Sequence, residues 1–158
     1  MSEPNILLTR IDNRLVHGQV GVTWTKTLGA NLIVVADDDV ANDKMQQTIM
    51  SVTAKSSGVG VRFFSIAQTA EVIGKAAPSQ KIFIVVKTPK AVRKLVELSV
   101  PIKAVNVGNM HFSDGKRSIT KKVYVDDADM EDLKFLVEKG VHVYCQDVPG
   151  DNKEVIKK

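Results

Sequence analysis

Two aliphatic runs constrain this chain more than any other feature: NLIVVA at 31–36 and KIFIVV at 81–86. Neither alternates polar with apolar residues, so neither fits a strand with one wet face. Strands this apolar are covered on both sides, as in a parallel sheet flanked by helices. The rest of the chain keeps the same rhythm. Residues 5–10 and 61–64 read as further strands, as do 102–107 and 141–145. Between them apolar residues recur at helical spacing: Val20, Trp24 and Leu28 in 19–28; Met45, Ile49 and Val52 in 43–55; Ala70 and Ile73 in a helix capped by Ser65 that runs to 76. Thr88 followed by Pro89 marks another helix start, with Ala91, Leu95 and Leu98 as its apolar stripe. Asp126 or Asp127 caps a last helix that turns Met130, Leu133 and Val137 inward and stops at Gly140. Gly29 and Pro78 are stops of the same kind. After Gly108 the pattern changes to a polar turn at 113–116 and short strands at 119–120 and 121–125, and the tail after Pro149 reads as polar and loose. Strand–helix alternation of this kind predicts an α/β fold, a mostly parallel sheet with helices on both faces.

A length of 158 residues supports one self-sufficient core, so the expectation is a single domain over 1–158. No apolar stretch is long enough to span a bilayer, and the start, MSEPNILLTRIDNR, lacks the character of a signal peptide, so the expectation is a cytoplasmic chain. The lone cysteine, Cys145, reads as a small buried hydrophobe. The net charge of +4 arises from 22 basic and 18 acidic side chains, and aromatics make up 5%. That is too mild a basic balance, with too few stacking aromatics, for a nucleic-acid surface. It suits an acidic or phosphorylated protein partner better.

Open parallel sheets bind ligands at the carboxyl ends of their strands. The first such loop is the sharpest feature of the chain. It places Arg10, Asp12, Asn13, Arg14 and His17 just ahead of Gly18 and Gln19. An imidazole is a nucleophile near neutrality, with one nitrogen free to attack while the other is held by a hydrogen bond. Gly18 leaves room for a bulky phosphoryl group, and the amides of Gly18, Gln19 and Val20 at a helix start favour an anion. Arg14 presents a bidentate fork for phosphate oxygens, and Asp12 either orients that arginine or holds the ring. Arg10 stands behind them. A plain structural ion pair between Asp12 and Arg14 fits the same residues.

A second loop follows the fifth strand: Gly108 permits a tight turn, Asn109 can donate toward the first loop, and Met110 and His111 lie at its rim. A solvated loop histidine is the simpler reading of His111, and a structural role that of His142 within the last strand. Asp37, Asp38 and Asp39 offer carboxylates for a cation, or simply charge at a helix start; Asp43 reads as a cap. No metal-ligand spacing, phosphate-gripping glycine loop or dinucleotide fingerprint occurs, so neither a metal nor a cofactor is expected.

The stretch IDNRLVHGQV at 11–20, followed by Trp24, closely resembles the phosphorylation-site motif of the mannose/fructose/sorbose-class IIB proteins of the bacterial phosphoenolpyruvate-dependent sugar phosphotransferase system. The resemblance continues through LIVVADDDVA at 32–41, KTP at 87–89, NVGNM at 106–110 and GK at 115–116. It is strongest to IIB subunits for N-acetylgalactosamine or galactosamine. It implies a seven-stranded, mainly parallel sheet. It also implies a protein-N(π)-phosphohistidine–sugar phosphotransferase activity without a bound cofactor. The motif histidine, His17, would be phosphorylated at Nδ1, and Arg14 and Asp12 would match the arginine and carboxylate of the motif. The donor would be a IIA phosphohistidine protein. The acceptor would be a sugar crossing through membrane IIC and IID subunits, with this chain attached peripherally to that permease. Asn109 stands where many members carry glycine, and 54–58 departs from a proline-containing turn. A homodimer is compatible with the sequence but not demanded by it. Two rivals share the residues: a phosphate-sensing regulatory module that forms no covalent adduct, and a nucleotide-binding enzyme, which would need the glycine loop this chain lacks.

Overall fold

A computed structural model of the chain describes residues 3–157; residues 1, 2 and 158 of the expected domain lie outside the described residues. Six parallel strands form the body of one sheet: β1 (Asn5–Asp12), β2 (Leu32–Ala36), β3 (Gly60–Phe64), β4 (Lys81–Val86), β5 (Ala104–Asn109) and β8 (His142–Cys145). Between β5 and β8 the chain makes an antiparallel hairpin, β6 (Arg117–Thr120) and β7 (Val123–Val125). With β9 (Glu154–Val155) at one edge, the spatial order is β3-β2-β4-β1-β5-β8-β9. This seventh member is antiparallel, with Tyr144 opposite Val155 and Cys145 opposite Glu154. The polar tail is therefore not loose. It closes the open edge of β8, satisfying backbone groups that its side-chain pattern gives no hint of.

The two aliphatic runs lie where their composition demands. β2 is buried along its whole length, and β4 from Ile82 to Val86. Ile82, Phe83, Ile84, Val85 and Val86 are fully buried, and each large side chain among them contributes about 1.5–3 kcal/mol by leaving water. One core layer joins the sheet to α3 (Ile66–Val72), α4 (Pro89–Glu97) and α5 (Asp127–Glu138), through Ile73, Ala91, Val92, Leu95, Leu133 and Leu136. The other joins it to α1 (Thr25–Leu28), the turn before it, and α2 (Lys44–Ser56), through Val20, Trp24, Met50 and Ala54. The caps follow local chemistry. Ser65 and Asp126 form capping boxes, Asp43 accepts from the Gln46 amide, and Thr88 accepts from that of Ala91 just ahead of Pro89.

Several faces differ from the periodicity. On α2, Met45, Ile49 and Val52 are 75, 62 and 65% exposed, while Met50 and Ala54 pack on the sheet. The helix carries apolar residues on two stripes, and the one with the small Ala54 lies against the sheet. Leu98 is half exposed because α4 ends at Glu97, leaving Val92 beside Ala91 and Leu95 in the core. On α5, Leu133 and Leu136 take the deepest positions, with Met130 and Val137 at the edge of that core. The first helix is a π-helical turn over Gln19–Trp24 that becomes α-helical only at Thr25. The wider turn brings Trp24 and Thr25, neighbours in sequence, to the interior together. Among the described residues, no helix is long and apolar enough to cross a membrane.

Candidate functional site

β1 and β5 run side by side, but the segments that follow them leave toward opposite faces: Val20 and Trp24 join one core layer, Val123 and Val125 the other. The crevice between them is a topological switch point, where open α/β sheets place their ligands. Asn13 staples its two sides. Its amide donates to the Asn109 carbonyl at 3.1 Å, and its Oδ1 accepts from the His111 amide at 2.6 Å. The link between the two loops thus comes from the Asn109 carbonyl and the His111 amide, and among the described residues no donating Asn109 side chain takes part in it.

Asp12 ends β1 with its side chain fully buried, and six contacts converge on the carboxylate. Arg10 directs Nε and Nη2 to Oδ2 at 3.2 and 3.0 Å. Arg14 donates its amide and Nε to Oδ1 at 3.0 and 3.2 Å, and Nη2 to Oδ2 at 3.3 Å. His17 places Nε2 3.0 Å from Oδ2. The chain doubles back through Leu15, whose φ of 56° is left-handed. That conformation costs a side chain about 1–2 kcal/mol, and complete burial of Leu15 plus its amide bond to the Asp12 carbonyl hold it in place.

Burial alone would raise the Asp12 carboxyl; hydrogen bonds from His17 and Arg14 and the charge of Arg10 outweigh it and hold the group well below the usual carboxylate range. Asp12 is therefore an anion at neutral pH and can only accept. The ring proton of neutral His17 is consequently on Nε2, which leaves the lone pair on Nδ1. Among the described residues, no hydrogen bond occupies Nδ1. The ring is 19% exposed, so it is held and still reachable. Gly18 follows it at the start of the π-helical turn, and a Cβ there would meet nothing within 4 Å. Arg14 is 47% exposed, with Nε and Nη2 on the Asp12 carboxylate.

Some expected site residues stand elsewhere. Arg10 is fully buried and cannot touch a partner or a free anion; its Nη1 donates to Asn106 Oδ1 at 2.6 Å and to the Gln146 carbonyl at 3.2 Å. Met110 is 2% exposed and belongs to the core, bridged to Val123, so it offers no docking surface. Gly108 is buried as well, and its role is clearance: a Cβ there would lie 2.0 Å from Arg10 Cζ. His111 and its neighbour Phe112 are exposed at the rim. The Gln19 side chain lies outside the described part of the structure. His142 is exposed on β8 beside the Tyr144 ring and, among the described residues, makes no hydrogen bond to the Asp12 carboxylate. Asp37 and Asp38 accept from the amides of Val40 and Ile66. Burial pushes the Cys145 thiol up to about 12. The roles of Asn106 and Gln146 as partners of Arg10 escaped the reading of the sequence, although an asparagine between Val105 and Val107 in an apolar strand was a visible signal. An adjoining cleft of about 290 Å³ is lined by Gly108, Lys121, Lys122, Gln146 and Asp147, but not by His17.

A family model described as the sorbose-subfamily IIB component of the phosphotransferase system matches residues 6–158. The chain belongs to that family. This IIB chain is 65% identical over 156 residues to the N-acetylgalactosamine-specific phosphotransferase enzyme IIB component 1 of Escherichia coli (strain K12), covering 99% of each chain. It superposes on the crystal structure of the E. coli N-acetylgalactosamine-specific IIB component 1 with a TM-score of 0.95, covering 97% of this chain and 100% of the other at 65% identity. A phosphotransferase-dependent N-acetylgalactosamine IIB component from Streptococcus pyogenes gives 0.91 at 40% identity, covering 99% of this chain and 96% of that one. The IIB chain is thus a phosphoryl-carrying transferase subunit of a sugar phosphotransferase system, and the fold that its sequence resembles is the fold it has.

Proposed function

We propose that this IIB chain carries its phosphoryl group on Nδ1 of His17. The phosphate comes from a IIA phosphohistidine and goes to an N-acetylgalactosamine-type sugar delivered by membrane IIC and IID subunits. The observation that carries this reading is the 3.0 Å contact between His17 Nε2 and the buried Asp12 carboxylate. It fixes the proton on one nitrogen and leaves the other nucleophilic. In the first transfer, the Nδ1 lone pair attacks phosphorus, the donor's P–N bond breaks, and its electron pair returns to the donor ring. The phosphorylated ring then bears positive charge next to Asp12, which stabilises it. In the second transfer, a sugar hydroxyl oxygen attacks phosphorus, its proton passes to solvent, and the N–P electron pair returns to His17. The equatorial oxygens carry the charge of each transition state, and the guanidinium of Arg14, whose side chain is 47% exposed, supplies the cation that meets them.

The relative's name supports the sugar: the E. coli IIB component that is 65% identical is named for N-acetylgalactosamine. The absence of a spanning helix among the described residues fits a chain that works in the cytoplasm against the permease. The rim that a partner has to surround comprises Asn13, Gly18, Asn109 and His111, around the half-buried ring. Incubating the chain with phosphoenolpyruvate, the general phosphotransferase proteins and its IIA should add one phosphoryl mass, acid-labile and base-stable, to the His17 peptide. His17→Ala should abolish the adduct, whereas His111→Ala and His142→Ala should retain it. An adduct formed on His17→Ala at the wild-type rate refutes the assignment. Reversible phosphate binding with no adduct would favour a regulatory module instead.

A further inference from the structure

We propose that Asn106 and Gly108 are positioning residues for phosphoryl transfer, acting through Arg10 to decide which nitrogen of His17 is nucleophilic. The inference rests on His17 as the phosphoryl acceptor. It begins with the register: Arg10 on β1 lies opposite Asn106 on β5 in the parallel ladder, with Gly108 two residues further along the same strand. Side chains two apart share a face of a sheet, so Asn106 and Gly108 both present toward the buried guanidinium.

A fully buried arginine has few tolerable arrangements, because each unpaired N–H is expensive. Asn106 removes the choice. Its Nδ2 donates to the Gln146 carbonyl at 3.0 Å, which turns its Oδ1 toward Arg10 Nη1 at 2.6 Å. The Gln146 carbonyl takes a second contact from that same Nη1 at 3.2 Å. With Nη1 engaged on this side, Nε and Nη2 face Asp12 Oδ2 at 3.2 and 3.0 Å, and Asp147 stays further off, 3.8 Å from Nη2. Gly108 supplies the space. A Cβ at that position would lie 2.0 Å from Cζ and 2.3 Å from each Nη, so any side chain would drive the guanidinium out of its plane of contact. Trp24, whose ring centroid is 5.1 Å from Cζ, limits the group further. Asp12 is thereby held by a rigid cation, and it in turn holds His17 Nε2–H at 3.0 Å.

The consequence for the reaction is specific. While Nε2 keeps its proton on Asp12, the attacking pair is on Nδ1, and the bond that forms is Nδ1–P as the donor's N–P bond breaks. If Arg10 shifts, Oδ2 loses two donors and moves, and the ring no longer has one fixed orientation. A displacement of about 1 Å in such an arrangement costs up to about a hundredfold in rate.

The test uses Asn106→Ala and Gly108→Ala in the full chain. The readouts are proton–nitrogen NMR of the His17 ring in the unphosphorylated protein and single-turnover transfer from phospho-IIA. Val107→Ala, a fully buried apolar position on the same strand, serves as the stability control. The expected result is an Nε2 proton that is slow to exchange in the wild type and in Val107→Ala but fast in Asn106→Ala. The transfer rate should fall about tenfold to a hundredfold in Asn106→Ala, with the apparent affinity for phospho-IIA unchanged. Gly108→Ala should act in the same direction. If it does not fold, Asn106→Ala still decides. A folded Asn106→Ala with wild-type proton exchange and wild-type rate overturns the inference. Loss of the slow proton with no loss of rate overturns the catalytic part of it. The ring-proton measurement needs no phosphate, so it separates failure of this positioning chain from failure of His17 as the acceptor.

Discussion

Replacing Asp12 by asparagine keeps the shape of the hub and removes its charge. Six contacts now end on the two carboxylate oxygens; a carboxamide has one acceptor oxygen, good for about two hydrogen bonds, and an NH₂ that would confront other donors. Arg14 is nearly half exposed and recovers its losses from water. Arg10 is fully buried and cannot. Stranding one partner of a buried pair costs about 3–5 kcal/mol. Asn106, the Gln146 carbonyl and Asp147, 3.8 Å from Nη2, remain beside the guanidinium. The loss should therefore fall near the lower end, about 3 kcal/mol at pH 7. The folded Asp12 carboxyl titrates below its unfolded value. Its stabilisation is thus complete above the unfolded pKa of about 3.9 and drains away as pH falls further, at about 1.4 kcal/mol per pH unit. Urea unfolding of wild type and Asp12→Asn between pH 7 and pH 3 would show a gap that is constant down to about pH 4 and then narrows. A gap under about 1 kcal/mol at neutral pH, or one that does not narrow in acid, refutes the buried-hub account.

Other outcomes follow from the same geometry. Arg14→Lys keeps the charge but cannot span both oxygens of Asp12 as Nε and Nη2 do at 3.2 and 3.3 Å; stability should change by about 0.5 kcal/mol or less, and transfer to sugar should fall at least about tenfold in stopped flow. Replacing Met45, Ile49 and Val52 together by serine should cost little more than helix propensity, about 1 kcal/mol in all, because all three are exposed; Ile84→Ala alone, fully buried, should cost about 2–5 kcal/mol in the same urea titration. Cys145 should resist alkylation at pH 8 in the folded protein, since its thiol is pushed up to about 12 and buried, and should react at once in denaturant.

The parts of this protein that were legible in its sequence are those whose physics is local. An unbroken apolar run such as 82–86, rich in β-branched residues, reads as a covered strand, and Ser65, Thr88 and Asp43 accept from amides three residues on. The cluster from Arg10 to His17 was legible for the same reason: Asp12 meets Arg10, Arg14 and His17 within five residues of itself. What required the tertiary structure was every choice between equivalent local options. Two apolar stripes on α2 are indistinguishable until one of them meets the sheet. The tail has no apolar alternation, and it is a strand only because β8 offers it an unpaired edge. The roles of Asn106 and Gln146 depend on Arg10, 96 and 136 residues away from them and brought beside them by the order β1-β5-β8. Gly108, read as a turn glycine, is an absent side chain that a buried guanidinium needs, and only the packed sheet places Arg10 against it. Backbone propensity and capping act over a few residues and leave their mark in composition, whereas the desolvation of a charged group is settled by whichever strands the fold lays beside it.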